Sequence, residues 1–281
     1  MNQASAVASD PAAARCRSDA PFILCLWIIG GFYLFLIVAM LWAKMTFTSP
    51  GHLWSALQNP EIQYSIKLTL LSCTLTTLFS LWTAVPIGYL LSHYDFPGKN
   101  LLDSILDIPI VLPPLVVGLG LLILFRTSMG QWVEQYIGFT YAVPGVILAQ
   151  FMVACAFAVR TMRTTFEQIN PRREQVALTL GCSRAQAFWA VVLPETRRGL
   201  LTAATLAWAR SMGEFGPLLV FAGATRMRTE VLSTSVFLEL SVGNIEAAVA
   251  VSLLMVLSAV AVLLIVRLYG MDQPTEGMVK L

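Results

Sequence analysis

The most informative stretch of this chain is Pro171–Pro194, PRREQVALTLGCSRAQAFWAVVLP, a polar segment between two apolar regions. Asn170 can cap a helix that opens on the proline, and Gly181 suits the left-handed turn at which such a helix ends. Ser183 can cap a second helix, where Gln186 three residues later completes a capping box. The spacing predicts two short helices joined at a glycine.

The second of these helices is predicted to be amphipathic. Ala185, Phe188, Trp189 and Val192 recur at i, i+3, i+4 and i+7, which places them in one apolar stripe. Pro194 is expected to end the helix, because proline lacks the backbone N–H that the next turn needs. A basic, amphipathic helix pair can lie on lipid headgroups or dock in a groove of a partner protein, and these residues leave both interpretations open.

The composition indicates a membrane protein. Of 281 residues, 57% are hydrophobic and 12% are charged, whereas a soluble domain carries about 25% charged residues. The net charge of +2 gives no sign of a nucleic-acid partner. The five cysteines are too widely spaced for a metal site, and we interpret them as small buried hydrophobic residues rather than disulfides or ligands. They are Cys16, Cys25, Cys73, Cys155 and Cys182.

Six stretches come close to or exceed the roughly 20 apolar residues that a helix needs to cross a bilayer. We therefore predict an all-α, polytopic membrane protein with six transmembrane helices. Its parts are a disordered cytoplasmic tail over 1–20, a first span over 21–43, a core of five spans over 65–268 that includes the loop 170–194, and a short cytoplasmic tail over 271–281. The predicted spans are Pro21–Ala43, Leu68–Ser92, Leu101–Phe125, Gln135–Val159, Gly199–Thr225 and Ala247–Val266.

Lysine and arginine are unevenly distributed between the two sides of this topology. If both termini are cytoplasmic, twelve of the eighteen basic residues lie in inner segments and four in outer loops, as the positive-inside rule requires. This bias predicts that the loop 170–194 faces the cytoplasm. The inner residues are Arg15, Arg17, Lys99, Arg160, Arg163, Arg172, Arg173, Arg184, Arg197, Arg198, Arg267 and Lys280; the outer ones are Lys44, Arg126, Arg226 and Arg228.

The cytoplasmic loop also resembles a motif of the binding-protein-dependent ABC permeases. In that family the loop reads E-A-A, three residues, Gly, nine residues, then I-x-L-P. This chain is similar at the same spacing, with glutamine for the glutamate and valine for the first alanine. The resemblance implies a coupling helix that sits in a groove of an ATP-hydrolysing subunit. The coupling residues it implies are Glu174, Gln175, Val176, Ala177, Gly181, Val191, Leu193 and Pro194.

Three further segments resemble the molybdate, tungstate and sulfate subgroup of that family, and are most similar to molybdate permeases. They are Leu112–Gly120, Phe166–Pro171 and Ala209–Gly216. The resemblance implies an inner-membrane channel subunit of an ATP-driven importer, which moves molybdate or, alternatively, sulfate, thiosulfate or tungstate by alternating access. The implied partners are two ATPase subunits that use ATP and Mg, a second copy of this chain in a homodimer, and a periplasmic binding protein. The chain itself is expected to bind no cofactor.

Two charged residues, Arg210 and Glu214, lie well inside the predicted fifth span. Each costs about 2.5–3.5 kcal/mol at a helix centre on insertion scales, so neither is expected to face lipid. At i and i+4 they can pair on one helix face. They form either a buried tether to another helix or to the second permease copy, or part of the translocation path.

The third predicted span contains Pro113 and Pro114, and each ring removes a helix hydrogen bond, so the span must bend there. Gly118 permits close helix packing just beyond the bend. This arrangement fits either an ordinary kinked helix or a broken helix that lines the path. The candidate path or gate residues are Pro113, Pro114, Gly118, Arg210, Gly213 and Glu214.

The sequence lacks several patterns that would indicate an enzyme. It has no GxxxxGK[ST] phosphate loop and no HExxH motif, so ATP hydrolysis is expected to come from a partner and no metal site is predicted. A secondary transporter is an alternative, with Glu214 or Asp107 as the coupling carboxylate, although such folds commonly contain internal repeats and none is evident here. An intramembrane enzyme is disfavoured, because no nucleophile and base occur together.

Overall fold

The computed structural model describes residues 20–48 and 50–271, and this part of the chain is helical, with no strand. Two short π-helical turns, Phe188–Val192 and Leu218–Ala222, interrupt the α-helices. The helices are α1 (Ala20–Phe47), α2 (Pro50–Gln58), α3 (Pro60–His93), α4 (Lys99–Val111), α5 (Pro114–Arg126), α6 (Ser128–Tyr136), α7 (Val143–Glu167), α8 (Pro171–Thr179), α9 (Arg184–Ala187), α10 (Leu193–Glu195), α11 (Arg197–Met212), α12 (Leu232–Val242) and α13 (Ile245–Met271).

Helix α1 forms a unit of its own, and the remaining helices form a second unit. The stretch Phe22–Phe47 has 26 residues and a mean hydropathy of 2.6, which is long and apolar enough to cross a membrane. The predicted first span is therefore confirmed as a helix, and it runs four residues past Ala43. The predicted tails lie outside the described residues, apart from Ala20 and Met271, which are both helical.

Three helices of the second unit, α3, α7 and α13, are also long and apolar enough to span. They confirm long apolar helices at the predicted second, fourth and sixth spans. The boundaries predicted for the fourth span, Gln135–Val159, are wrong: α7 begins at Val143, where Pro144 occupies the first turn, and it continues to Glu167. A proline in the first turn loses no intrahelical hydrogen bond and so favours this start.

The predicted third span is a pair of helices rather than one. Helices α4 and α5 meet at an angle of 111°. Leu112, which precedes Pro113, is extended with a ψ of 140°, as expected of a residue before proline. The bend predicted at Pro113 and Pro114 is thus confirmed, and it is sharp enough to break the helix.

The prediction of a continuous fifth span over Gly199–Thr225 is wrong. Helix α11 is 16 residues long and is capped by Gly213. The chain becomes helical again only at Gly216, and it leaves the following π-helical turn at Gly223 with a φ of +72°. The described residues hold four helices of spanning length, or five spans if α4 and α5 count as one.

The two breaks pack against each other. A Cβ on Gly118 of α5 would lie 2.7 Å from the Cα of Pro217, and one on Gly216 would lie 3.1 Å from the Cβ of Pro114. Only glycine at these positions lets the two backbones come this close. The broken third and fifth spans therefore meet at their points of interruption.

The core of the second unit lies where α3 packs along α7 and α11. The side chains of Leu91, Met162 and Phe166 are buried there. Gln150 adds a polar connection: its amide accepts a hydrogen bond from the Thr76 hydroxyl at 3.2 Å and donates one to a backbone carbonyl of α11 at 3.3 Å. Buried amides in a membrane core need such partners, so this contact specifies how the three helices fit.

The cysteine interpretation is confirmed in part. Cys73 is buried and Cys155 half-buried, but Cys25 and Cys182 are exposed, and none of these four forms a disulfide. Their different burial follows from position, because Cys182 lies in the turn after α8. Cys16 lies outside the described residues. Within those residues no cluster of His, Cys, Asp or Glu could hold a metal ion.

We predict that Gly118→Ala destabilises the protein by about 1–3 kcal/mol, because the added methyl group overlaps the Pro217 backbone. The measurement is the fraction of monodisperse protein that survives heating in detergent. Gly120→Ala is the matched control, since no atom lies within 4 Å of its Cβ. Equal losses in the two variants would show that the breaks do not pack as described.

Candidate functional site

The first helix of the loop, α8, is built as the sequence predicts. The Asn170 side chain accepts a hydrogen bond from the backbone N–H of Arg172, and proline occupies the first turn. Gly181 has a φ of +91°, and the N–H of Cys182 donates to the carbonyl of Ala177 at 3.1 Å. A left-handed residue with this bond pattern ends a helix without leaving its last carbonyls unpaired. The glycine turn is therefore confirmed.

The second helix differs from the prediction. Ser183 and Gln186 form the expected capping box, but the chain does not stop at Pro194. Helix α9 passes into the π-helical turn, where the N–H of Leu193 donates to the carbonyl of Phe188. Pro194 then lies in the first turn of α10, where its missing N–H costs little. The path to α11 is thus nearly continuous, with a break only at Thr196.

The predicted apolar stripe is correct only in part. Val192 is buried and Phe188 partly buried, but Ala185 and Trp189 are exposed, and Ala187 is buried in their place. The π-helical turn changes the spacing of residues only from Phe188 onward, so it does not account for the burial of Ala187 or the exposure of Ala185.

An exposed apolar surface remains on the loop. We call Val176, Leu180 and Trp189 the loop surface; their side chains are 56%, 80% and 68% exposed. Gln175, beside Val176, is also exposed. Of the other residues implied in coupling, Gly181 and Pro194 are exposed, Val191 and Leu193 are half-buried, and Ala177 is buried.

Glu174 does not belong to the loop surface, because it points towards α3. The Tyr89 hydroxyl donates a hydrogen bond to its Oε1 at 2.6 Å, and His93 Nε2 lies 3.3 Å from its Oε2. Only 12% of the Glu174 side chain is exposed. We call these three residues the clasp, since they hold the first loop helix to the end of α3.

Aromatic packing surrounds the clasp. Tyr89 stacks on His93 with ring centroids 4.3 Å apart, and it meets Phe166 and Phe188 edge to face at 5.6 and 4.9 Å. Such pairs add about 0.5–1.5 kcal/mol each beyond their buried area. The clasp therefore joins α3, α7, α8 and the π-helical turn at one place.

A second ion pair ties the two halves of the loop together. The Nη1 of Arg173 lies 2.6 Å from the Oε1 of Glu195, which connects α8 to α10. The two side chains are 64% and 26% exposed, so this pair contributes less than the clasp to stability. It nevertheless closes the loop back on itself.

The candidate path residues fall into two groups. Pro113, Pro114 and Gly118 lie where the breaks meet, opposite Gly216 and Pro217. Gly213 caps α11 on the other side of the same break. The structure thus places Pro114 and Gly118 against the second break, with Gly213 at the start of that break.

Arg210 and Glu214 form an ion pair, with the Nη1 of Arg210 2.6 Å from the Oε1 of Glu214. Glu214 lies beyond the end of α11, so the two residues do not share one helix face as predicted. Glu214 is 1% exposed, its backbone carbonyl accepts a hydrogen bond from Ser233 at 2.6 Å, and Arg210 lies 5.6 Å from the ring of Phe157. The pair therefore ties the break to α7 and to the start of α12.

Sequence reasoning missed two ion pairs between α4 and α7. Asp103 pairs with Arg163, and Asp107 Oδ2 lies 3.5 Å from the Nη1 of Arg160. The signal was present, because acids four residues apart on one span and arginines three apart on another form complementary faces.

A further network lies at the opposite end of the unit. Arg226 pairs with both Glu61 of α3 and Glu239 of α12. Nearby, Glu230 accepts a hydrogen bond from Ser235, and burial raises the pKa of the Glu230 carboxyl. Nothing in the local sequence indicates this network, because Arg226 and Glu61 are more than 150 residues apart in the chain.

Comparison with known proteins agrees with this architecture. Residues 84–270 match the family described as "Binding-protein-dependent transport system inner membrane component". This match covers α4 to α13 and the end of α3, and so includes the whole loop with its clasp.

Curated relatives are similar over most of their length. The chain is 36% identical to the sulfate transport system permease protein CysT of Escherichia coli (strain K12) over 71% of this chain and 73% of that protein. It is also 36% identical to the molybdenum transport system permease protein ModB of the same organism, over 64% of this chain and 80% of that protein. The molybdate/tungstate transport system permease protein WtpB of Pyrococcus abyssi is 35% identical over 59% of this chain and 63% of that protein.

Solved structures share the fold. A bacterial alginate ABC transporter in complex with its alginate-bound periplasmic protein matches with a TM-score of 0.72 and 18% identity, over 90% of this chain and 94% of that one. Its similarity concerns the fold alone. Since the family match spans well over half of the sequence, the chain belongs to the binding-protein-dependent transport system inner membrane components, the permeases of ABC transporters.

Proposed function

We propose that this chain is the membrane channel subunit of an ATP-driven importer for a tetrahedral oxyanion, either molybdate or sulfate. The observation that carries the proposal is the loop surface, an exposed apolar patch on a helix–glycine–helix segment at the family's spacing. The relatives named above transport sulfate, molybdate or tungstate by their names, at nearly equal identity. Their names give sulfate the same support as molybdate, although the sequence motifs favour molybdate.

The loop surface supports docking to an ATPase subunit rather than to lipid. Leu180 and Trp189 are mostly exposed, yet Arg172 and Arg184 nearby are also exposed and charged. Exposed apolar side chains bordered by charged ones are typical of a protein interface. Membership in an ABC permease family favours this interpretation over an interfacial helix on the headgroups.

The clasp offers a route by which docking would move the spans. Glu174 is hydrogen-bonded to α3 rather than to solvent, so a displacement of α8 pulls directly on the end of that helix. Helix α3 packs along α7 and α11. The packed helices α3, α7 and α11 would therefore carry the displacement towards the break at Gly213.

The interrupted third and fifth spans are the part of the unit best suited to form a path. Backbone groups freed by a break are tolerated at membrane depth only where protein or water can satisfy them. In this proposal two copies of the chain form the pathway, two ATPase subunits hydrolyse ATP with Mg, and a periplasmic binding protein delivers the anion. The secondary-transport alternative loses support, because Glu214 and Asp107 are each paired with an arginine.

The proposal concerns membrane vesicles that contain the chain, its ATPase and its binding protein. It predicts that they accumulate labelled sulfate or molybdate only when ATP is present on the side of the membrane where the ATPase is bound. Competition between the two anions for uptake would identify the substrate. A preference for one anion is expected, with chloride inactive as a competitor. Accumulation driven by a proton gradient without ATP would contradict the proposal.

For the loop surface, we predict that Trp189→Ser weakens retention of the ATPase by about tenfold or more, because interface anchors of this type carry most of the binding energy. The measurement is the amount of ATPase that copurifies with the chain in detergent. Trp132→Ser is the control, since Trp132 is similarly exposed but lies on α6. If both variants retained the ATPase fully, the loop surface would not be the docking site.

For the clasp, we predict that Tyr89→Phe and Glu174→Gln are non-additive, with a coupling energy of about 0.5–3 kcal/mol in a double-mutant cycle of thermal stability. Tyr89→Phe removes this hydrogen bond, and Glu174→Gln removes the charge that strengthens it. Tyr94→Phe serves as the control, because its hydroxyl meets only Arg184 in an exposed contact at 3.2 Å. ATP-driven transport should fall in parallel with clasp stability. Additive effects would show that the clasp does not act as a unit.

A further inference from the structure

A polar cavity of about 620 Å³ lies between the last turns of α7 and the first turns of α11. It is on the same side of the unit as the loop, next to α10. The residues that matter for its chemistry are Arg160, Arg198, Gln168, Glu195, Thr165 and Thr202. None of the coupling or path residues considered above lines it, so it is a separate site.

The cavity carries an excess of positive charge. The Arg198 side chain has no ion pair or hydrogen bond within the described part of the chain. The Nη1 of Arg160 lies 3.5 Å from the Oδ2 of Asp107, a long ion pair between side chains that are 66% and 41% exposed. The single acid in the lining, Glu195, is already paired with Arg173 at 2.6 Å. The exposed guanidinium of Arg198 is therefore free to accept an added anion.

The rest of the lining is uncharged and combines threonine hydroxyls and the Gln168 amide with Ile169 and Gly199. The hydroxyls of Thr164, Thr165 and Thr202 bond to carbonyls four residues back in their own helices, which places their oxygens along the wall. The helices are close at the base, where a Cβ on Gly199 would lie 2.1 Å from Thr165. This close approach sets the distance between the α7 and α11 walls of the cavity.

We propose that this cavity binds a tetrahedral oxyanion group, held by the forked guanidinium of Arg198 with Arg160 and the Gln168 amide as further donors. Arginine matches such groups with two parallel hydrogen bonds, and charge assistance strengthens each one. The group comes from one of two sources, a free sulfate-like anion or the phosphate of a lipid headgroup. The free-anion source rests on the proposed function, because it requires that the anion reaches this side of the membrane.

The test measures labelled sulfate binding to the full-length protein in nanodiscs of neutral phosphatidylcholine, at ionic strength held constant with chloride. We expect Arg198→Gln to weaken binding by about tenfold or more and Arg198→Lys to weaken it less. Arg197→Gln is the matched control, because it removes the same charge from the neighbouring exposed position, which does not line the cavity. Its binding should equal that of the unaltered protein.

A second arm identifies the source. The same variants are placed in nanodiscs that contain phosphatidylglycerol, and their thermal stabilisation by that lipid is compared. Sulfate binding that depends on Arg198 in neutral lipid assigns the site to a free anion, whereas lipid stabilisation that depends on Arg198, without sulfate binding, assigns it to a headgroup. If neither signal differs between Arg198→Gln and Arg197→Gln, the inference is wrong. ATP-driven uptake that persists in that case would leave the proposed function intact.

Discussion

The rest of the structure depends on one buried contact, the hydrogen bond from the Tyr89 hydroxyl to the Glu174 carboxylate. A carboxylate with 12% exposure is costly without a donor, so the loop and the end of α3 must stay together. His93 lies 3.3 Å from the same carboxylate and stacks on the Tyr89 ring, so it supports the contact from a second side. The loop is therefore joined to the end of α3 by directed contacts.

A second constraint acts inside the membrane, where backbone groups have no water to bond with. The chain nevertheless interrupts two spans, at Pro113 and at Gly213. The two interruptions pack against each other. Gly118 and Gly216 allow this because they have no side chain to separate the two backbones. The buried Glu214 is neutralised by Arg210 in the same region. Breaks and charges are thus concentrated in one place, while α3, α7 and α13 remain regular.

The parts of the fold that could be predicted from sequence are those set by local chemistry. Caps at Asn170 and Ser183 and the turn at Gly181 follow from residue type alone, and the structure contains all three. The break of α11 and the passage through Pro194 could not be predicted, because a π-helical turn and distant packing decide them. The inward orientation of Glu174 is likewise tertiary, since Tyr89 lies 85 residues away.

The basic residues of the loop side hold helices together. Arg163, Arg160 and Arg173 are each paired with an acid from another helix, which ties α7 to α4 and α8 to α10. The acids near the cavity are therefore already paired with arginines, and Arg198 has no acidic partner. A topology rule counts positive charges and therefore cannot distinguish arginines that are paired with acids from one that is not. The ion pairs of the structure make that distinction. Among the residues that line the cavity, Arg198 is the cation without an acidic partner.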